Sequence, residues 1–471
     1  MPIHREHLTL RLTAFVRWAL CALLLAASAD SAIAQEPDDG ELDPSFSGDG
    51  KDVLVAGVSG DFAASEVLVA PDGALVVVGR RTIPGGNLKS WVWARATNAG
   101  FSSYCPFTPP GSTDVAGRPP AAFDSQGRLV IAGGVTIGSS VVGGAARFLY
   151  PACVLDPSFG DEGFQVVDVT PASEAIYALA IDAQDRPFLA GIYLTATLGD
   201  TLVVALNEDG SPRTTGFGTN GWVRFDVFAA QRTEVPTELF VQPDGKIVLA
   251  GILDSTVVDP LEIYVLRLLP DGEPDPDFGL PADDGTVLVS FAPASASVMG
   301  MAFDFATGRL ALAGQYSVSG QPGQAAMAVL LASGALDDSF SFDGKKNFLL
   351  AGGITSSLTG VAFDGLGRLL VGGSANFGNG SNYEFAAARL FDDGQFDITF
   401  GAHGSVTIPF DIGNPGSDNG SALTFQAGRP VVAGTVFAPD DRNKMGLARL
   451  ATALIFADGF NGGNAGGWQG K

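Results

Sequence analysis

The sequence predicts an all-β protein, a seven-bladed β-propeller built from seven four-stranded repeats of about 60 residues. Three observations carry this. First, a turn, a short apolar run and a glycine recur as one phrase seven times. "GALVVVG" closes at Gly79, and its later copies close at Gly133, Gly191, Gly251, Gly314, Gly373 and Gly434. Second, a Phe followed four residues later by Gly alternates with that phrase. It stands at Phe46/Gly50, Phe107/Gly111, Phe159/Gly163, Phe217/Gly221, Phe340/Gly344 and Phe400/Gly404, with one stretched copy at Phe278/Gly285. Third, no window of apolar residues sustains a 3.6-residue period, so helix is a poor reading.

The elements follow in chain order. Arg5, Arg11 and Arg17 precede the apolar run "WALCALLLAA" (Trp18–Ala27), and "AIA" (Ala32–Ala34) follows it. This is the pattern of a secretory signal peptide over 1–34, and the run is too short to span a bilayer. Residues 35–41 form a linker, 42–452 the propeller, and 453–471 a Gly-rich tail outside the repeats. Within each unit, short apolar blocks are broken by Gly, Asp and Pro. Unit three shows the four strands plainly as "FQVVDV" (Phe164–Val169), "IYALAI" (Ile176–Ile181), "PFLAG" (Pro187–Gly191) and "TLVVAL" (Thr201–Leu206). Turns such as Pro243-Asp244-Gly245 supply the positive φ that tight hairpins need.

One four-stranded sheet cannot cover both of its faces. Stacking seven around an axis does so, whereas a linear β-solenoid, the alternative, normally has shorter rungs. The blade frame is expected to be offset from the repeat frame. Each strand after a Phe-x3-Gly turn then completes the preceding blade, and the strand after Gly50 (Val53–Val58) pairs beside Leu447–Leu450 to fasten the ring.

The phrases "LDPSFG", "PDGKIVLAG" and "ARL..DG" resemble the delta-60 repeat of secreted bacterial proteins, a resemblance spanning Leu42 to about Ala451. It implies a propeller and supplies no catalytic residue set. Unit two departs most, with "YCPF" (Tyr104–Phe107) where "LDPSF" is expected. The tail, "IFADGFNGGNAGGWQGK" (Ile455–Lys471), is similar to short endings of secreted proteobacterial proteins. Together these imply a protein that is secreted, or held at the cell surface or in the periplasm, of a Gram-negative bacterium.

Composition narrows the function classes. Asp and Glu number 51 against 27 Lys and Arg, a formal net charge of −24. Such a surface repels phosphate backbones, so nucleic acid is not an expected partner. His403 is the one histidine after the leader and sits in a repeat turn, which leaves no base for a nucleophilic triad and no His-rich metal site. Asp is abundant at recurrent turn positions (Asp72, Asp244, Asp271, Asp393), so no single carboxylate pair stands out for hydrolysis. No cofactor is expected. The one stretch with calcium-like chemistry is "DGEPDPDFG" (Asp271–Gly279) with Asp283 and Asp284, whose spacing departs from the D-x-[DN]-x-[DN]-G loop and which is stiffened by two prolines.

Two cysteines remain after the leader, Cys105 and Cys153. Both lie near equivalent turns of adjacent blades, within bridging range for a disulfide. The expected function is non-catalytic binding or scaffolding by a monomer, with an extracellular protein, peptide or glycan as partner. A carboxylate-based carbohydrate hydrolase is the alternative. Seven variable loops between the third and fourth strands of the units emerge on one face: Arg80–Ser90, Val135–Val142, Ile192–Asp200, Ile252–Pro260, Gln315–Gln324, Ser374–Asn382 and Thr435–Lys444. The candidate contact residues in them or at their edges are Trp91, Tyr193, Tyr316, Phe377, Asn379, Asn382 and Tyr383.

Overall fold

In the computed structural model every regular element among the described residues is a strand. Those residues are 37–452 apart from 55–59, 83–87, 170–172, 195–197, 228–231, 256–259, 280–284, 379–381, 411, 413–416 and 439–441. The leader and the tail lie outside them. The strands form seven antiparallel sheets, one per blade. Six sheets have four strands. The sheet of blade 2 has six, because its innermost strand is split and its third strand pairs with two short partners.

The offset frame is present. Lys51–Val53 is the outermost strand of blade 7, with Lys51 opposite Ala448, Asp52 opposite Leu447 and Val53 opposite Gly446. It begins two residues before the expected Val53–Val58, of which 55–58 lie outside the described residues. The other three strands of that blade are Asn419–Gln426, Arg429–Ala438 and Arg442–Arg449, so the two ends of the repeat region close one sheet together.

The closing glycines have a structural cause. Innermost strands carry one unpaired residue in mid-strand, a β-bulge. The register shifts fall between Ala64 and Glu66, Ile176 and Ala178, Pro236 and Glu238, Val298 and Gly300, Leu358 and Gly360, and Gly420 and Ala422. The bulge pushes backbone toward the strand beside it. A Cβ on Gly314 would lie 1.8 Å from the Ser297 carbonyl oxygen, and one on Gly373 would lie 2.1 Å from that of Ser357. Only glycine fits.

The other two phrases meet at the far end of the third strand, as an ionic latch. Arg389 of "AARL" donates through Nε to Asp397 at 2.8 Å, and its guanidinium lies 4.9 Å from the Phe400 ring centre. Arg267 with Asp275 and Phe278, Arg147 with Asp156 and Phe159, and Arg449 with Asp43 and Phe46 repeat the arrangement. The same arginines reach the next blade: Arg267 donates to the Ala332 carbonyl at 2.7 Å and Arg449 to the Asn98 side chain at 2.7 Å. In blade 5, where Val329 replaces the arginine, Arg309 takes over with Asp337 at 2.7 Å. Burial alone would raise the Asp397 carboxyl. Hydrogen bonds from Thr399 and the charge of Arg389 outweigh it and hold the group below the usual range.

Cys105, in the outermost strand of blade 1, is bonded to Cys153 in the turn after the third strand of blade 2, with Cα atoms 5.7 Å apart. The bridge ties the irregular second blade to its neighbour.

Candidate functional site

Two places gather polar or aromatic side chains without an obvious packing role: the loop face and the axis. On the loop face the strands run further than the sequence indicates. Val135–Val142 is not a loop. Leu129–Ile137 and Ser140–Leu149 pair across it, because Val135, Thr136 and Ile137 continue the β-branched pattern. The hairpins of blades 1, 5, 6 and 7 are shortened likewise, with strands extending to Thr82, Ser317, Asn376 and Ala438.

The expected contact residues divide sharply. Trp91 is a correction: it is fully buried, packed near Phe107 and Phe164, with its indole over Gly133 of blade 2. A glycine across the blade interface leaves a slot, and the indole fills it. Tyr193 is half-buried at the top of its strand, with the Arg224 guanidinium 4.5 Å from its ring centre. Tyr316 is half-buried against Phe291, centroids 6.1 Å apart. Phe377 is 37% exposed just beyond a fully buried strand, and its N–H donates to the Asn382 carbonyl at 3.2 Å. Asn382 is exposed and Tyr383 half-buried. Asn379 lies outside the described residues. Tyr316 belongs to blade 5, Phe377 and Tyr383 to blade 6, and Phe291 to the connection that leads from blade 4 into blade 5, so the aromatic surface is concentrated around two adjacent blades.

The acidic stretch offers little to a cation. Asp275 is held by Arg267 at 2.6 Å and Lys246 at 3.0 Å, and Asp271 accepts the Glu273 N–H at 3.1 Å. Asp283 and Asp284 lie outside the described residues, and among those described no group of three or more His, Cys, Asp or Glu side chains is placed to hold a metal. His403 takes φ +58° in its turn, a left-handed position.

The axis was not legible in the sequence. The bulges of the innermost strands bring Glu66 of blade 1 and Glu238 of blade 4 toward the axis, and Arg118 joins them from the break in the innermost strand of blade 2. Arg118 Nη2 donates to the carbonyls of Ser421 at 2.7 Å and Ser65 at 3.3 Å, reaching past blade 1 to blade 7. Glu66 and Glu238 are half-buried and Arg118 is exposed, so the three side chains line the open axis of the ring rather than packed core. Burial pushes the Glu66 carboxyl up to about 7, with Arg118 pulling the other way. Burial, with the Glu66 charge adding to it, raises Glu238 well above the carboxylate range. Burial likewise lowers Arg118 against the pull of both carboxyls. The sequence signal is slight: at the position of Glu66 and Glu238 other blades carry Ala178, Gly300, Gly360 and Ala422.

This architecture makes the chain a seven-bladed β-propeller with an ionisable channel on its axis. A family model described as a domain of unknown function (DUF5122) beta-propeller matches residues 242–278 and 367–400. No curated protein matches the chain in sequence. Solved structures resemble it remotely. The polysaccharide lyase Uly1 aligns at 11% identity and TM-score 0.47, over 85% of this chain and 94% of its own. An α-L-arabinanase of Penicillium chrysogenum, in complex with arabinobiose, aligns at 11% identity and TM-score 0.40, over 72% and 94%. Likeness at that level carries no argument about activity. Among the described residues no helix is long and apolar enough to cross a membrane.

Proposed function

We propose that this is an exported binding or scaffolding protein of the delta-60 repeat kind, non-catalytic, whose loop face over blades 5 and 6 takes a glycan or peptide. The observation that carries the reading is the aromatic strip of Phe291, Tyr316, Phe377 and Tyr383 at the ends of rigid strands. Half-exposed rings on a fixed scaffold give stacking area at small entropic cost. The disulfide agrees with an oxidising compartment. A glycan and peptide array, read with wild type and with a Tyr316→Ala/Phe377→Ala variant, tests it. The variant is expected to bind at least about tenfold more weakly, the loss of one good aromatic contact. Undiminished binding removes this face as the site.

The alternative is a carboxylate hydrolase, and Glu66 and Glu238 are the pair that favours it, one acid being protonated near neutrality as a general acid must be. Turnover of a glycan panel that Glu66→Gln abolishes would replace the binding reading.

A further inference from the structure

The large apolar side chains that reach solvent are unevenly spread over the ring. Antiparallel strands put the turns after the first and third strands of each blade at the latch end, opposite the loop face. In those turns Phe305, Leu331, Phe342, Leu366, Phe391 and Ile398 are exposed, and all six belong to blades 5 and 6. Other blades differ at the same positions. Leu366 stands where blades 1 to 4 have Asp72, Gln126, Gln184 and Asp244, and Ile398 stands where other repeats have Pro44, Pro157 and Pro276. Phe342 is the extreme case. It is 97% exposed at φ +73°, a left-handed position that a bulky residue rarely takes. The matching residue in the turn after blade 7 is Gly48, at φ +89°. Packing within the fold gives no reason for a ring there.

These turns form one surface. Arg309, in the Phe305 turn, donates to the Asp392 carbonyl at 3.1 Å, and the Ser341 N–H donates to the Asp393 carbonyl at 2.9 Å. Arg368, beside Leu366, donates to Asp397 at 2.9 Å, next to Ile398. A Cβ on Gly308 would lie 3.0 Å from that of Ala332, so the Phe305 and Leu331 turns lie against one another. Single exposed apolar residues need no explanation, but a gathered set marks a contact face.

Charge selects what the face takes. Asp338, Asp343, Asp392 and Asp393 are exposed in the same turns, interleaved with the apolar residues, and have no ion pair among the described residues. The cations nearby are engaged elsewhere: Arg309 with Asp337 at 2.7 Å, Arg368 with Asp364 at 2.7 Å, and Lys345 with the Ser290 carbonyl at 3.0 Å. Lys346 lies 5.5 Å from the Phe396 ring centre.

We propose that this face docks a cationic amphipathic segment of a partner protein, with apolar side chains against Phe342 and Ile398 and Lys or Arg beside the four aspartates. The other occupants fit less well. An anionic lipid surface meets four carboxylates, and a second copy brings the same four against them. A neutral apolar segment strips water from the acids and returns no partner. The face lies opposite the aromatic strip and does not rest on it.

Fluorescence anisotropy of a labelled amphipathic Leu/Lys peptide, titrated with the folded protein, tests this. Binding is expected on the order of micromolar, weakening as salt screens the aspartates. Phe342→Ser with Ile398→Ser leaves the net charge unchanged and should weaken binding at least about tenfold. Both side chains are exposed, so circular dichroism should show the variant folded. Asp392→Asn with Asp393→Asn should weaken binding too, and a Leu/Glu peptide of the same pattern should not bind. Leu/Lys binding that the apolar variant leaves unaltered is bulk attraction to an acidic protein and overturns the proposal, as does no binding at about 100 μM. Three findings would overturn it by placing another occupant there. They are phosphatidylcholine vesicles bound by wild type and not by the apolar variant, a dimer that this variant loses, and peptide binding that appears only in Phe456→Asp/Phe460→Asp, which assigns the face to the chain's own tail.

Discussion

The latches and the axis use the same chemical groups to opposite effect. At a latch, Asp397 faces Arg389 at 2.8 Å and Arg368 at 2.9 Å, and its other oxygen accepts from Thr399, so its carboxyl is held ionised. On the axis, Glu66 and Glu238 see one guanidinium between them at a distance, and both are held toward the protonated form. Burial acts in the same direction at both places. What differs is whether partners arrive with it. A latch carboxylate meets its cations within the protein, while on the axis the acids respond to burial by holding their protons.

The comparison breaks first at a latch. Asp397→Ala leaves Arg368 only Asp364 and Arg389 only Asp39 as acidic partners, and is expected to cost about 3 kcal/mol, the lower end for breaking a buried pair, read from the urea midpoint. A loss near zero would mean that the latches are not cohesive. Removing the other inter-blade tie, with Cys105→Ser and Cys153→Ser together, should cost about 2–4 kcal/mol, and wild type under reductant should reproduce it. Glu66→Gln should have the smallest effect and the opposite sign. A carboxyl raised to about 7 in the folded protein favours folding while protonated, and this is lost as pH rises through 7. The glutamine variant should therefore melt higher than wild type at pH 8, by on the order of 1 kcal/mol after solvent screening in the channel. The difference should vanish below the ordinary carboxylate value, where both folded and unfolded forms hold the proton. Latch aspartates run the other way: their contribution is full above the ordinary carboxylate range and fades as acid titrates them below it.

The same contrast explains what could be read from the sequence. Blade count, strand number and ring closure were legible because each rests on a phrase written seven times, and the phrases are the latch and the bulge glycine themselves. The disulfide followed from the same register. Trp91 failed because its burial depends on the missing side chain of Gly133, a residue in another repeat. Glu66 and Glu238 were silent for a different reason. They sit at a repeat position otherwise filled by small residues, 172 residues apart, and only the closed ring turns them toward a common axis.

The pairing of Lys51–Val53 with Met445-Gly446-Leu447-Ala448 also fixes an order of events. The first strand of the repeat region finds its partner in the last strand of that region, so blade 7 stays a three-stranded sheet with an open edge until the two meet. Until then two unpaired edges exist, each able to recruit a foreign strand. Most of the entropy of bringing those ends together is absorbed as the six intervening blades stack, one beside the next. The final strand then docks into a gap already formed, and the ring becomes a closed unit only once blade 7 has been made.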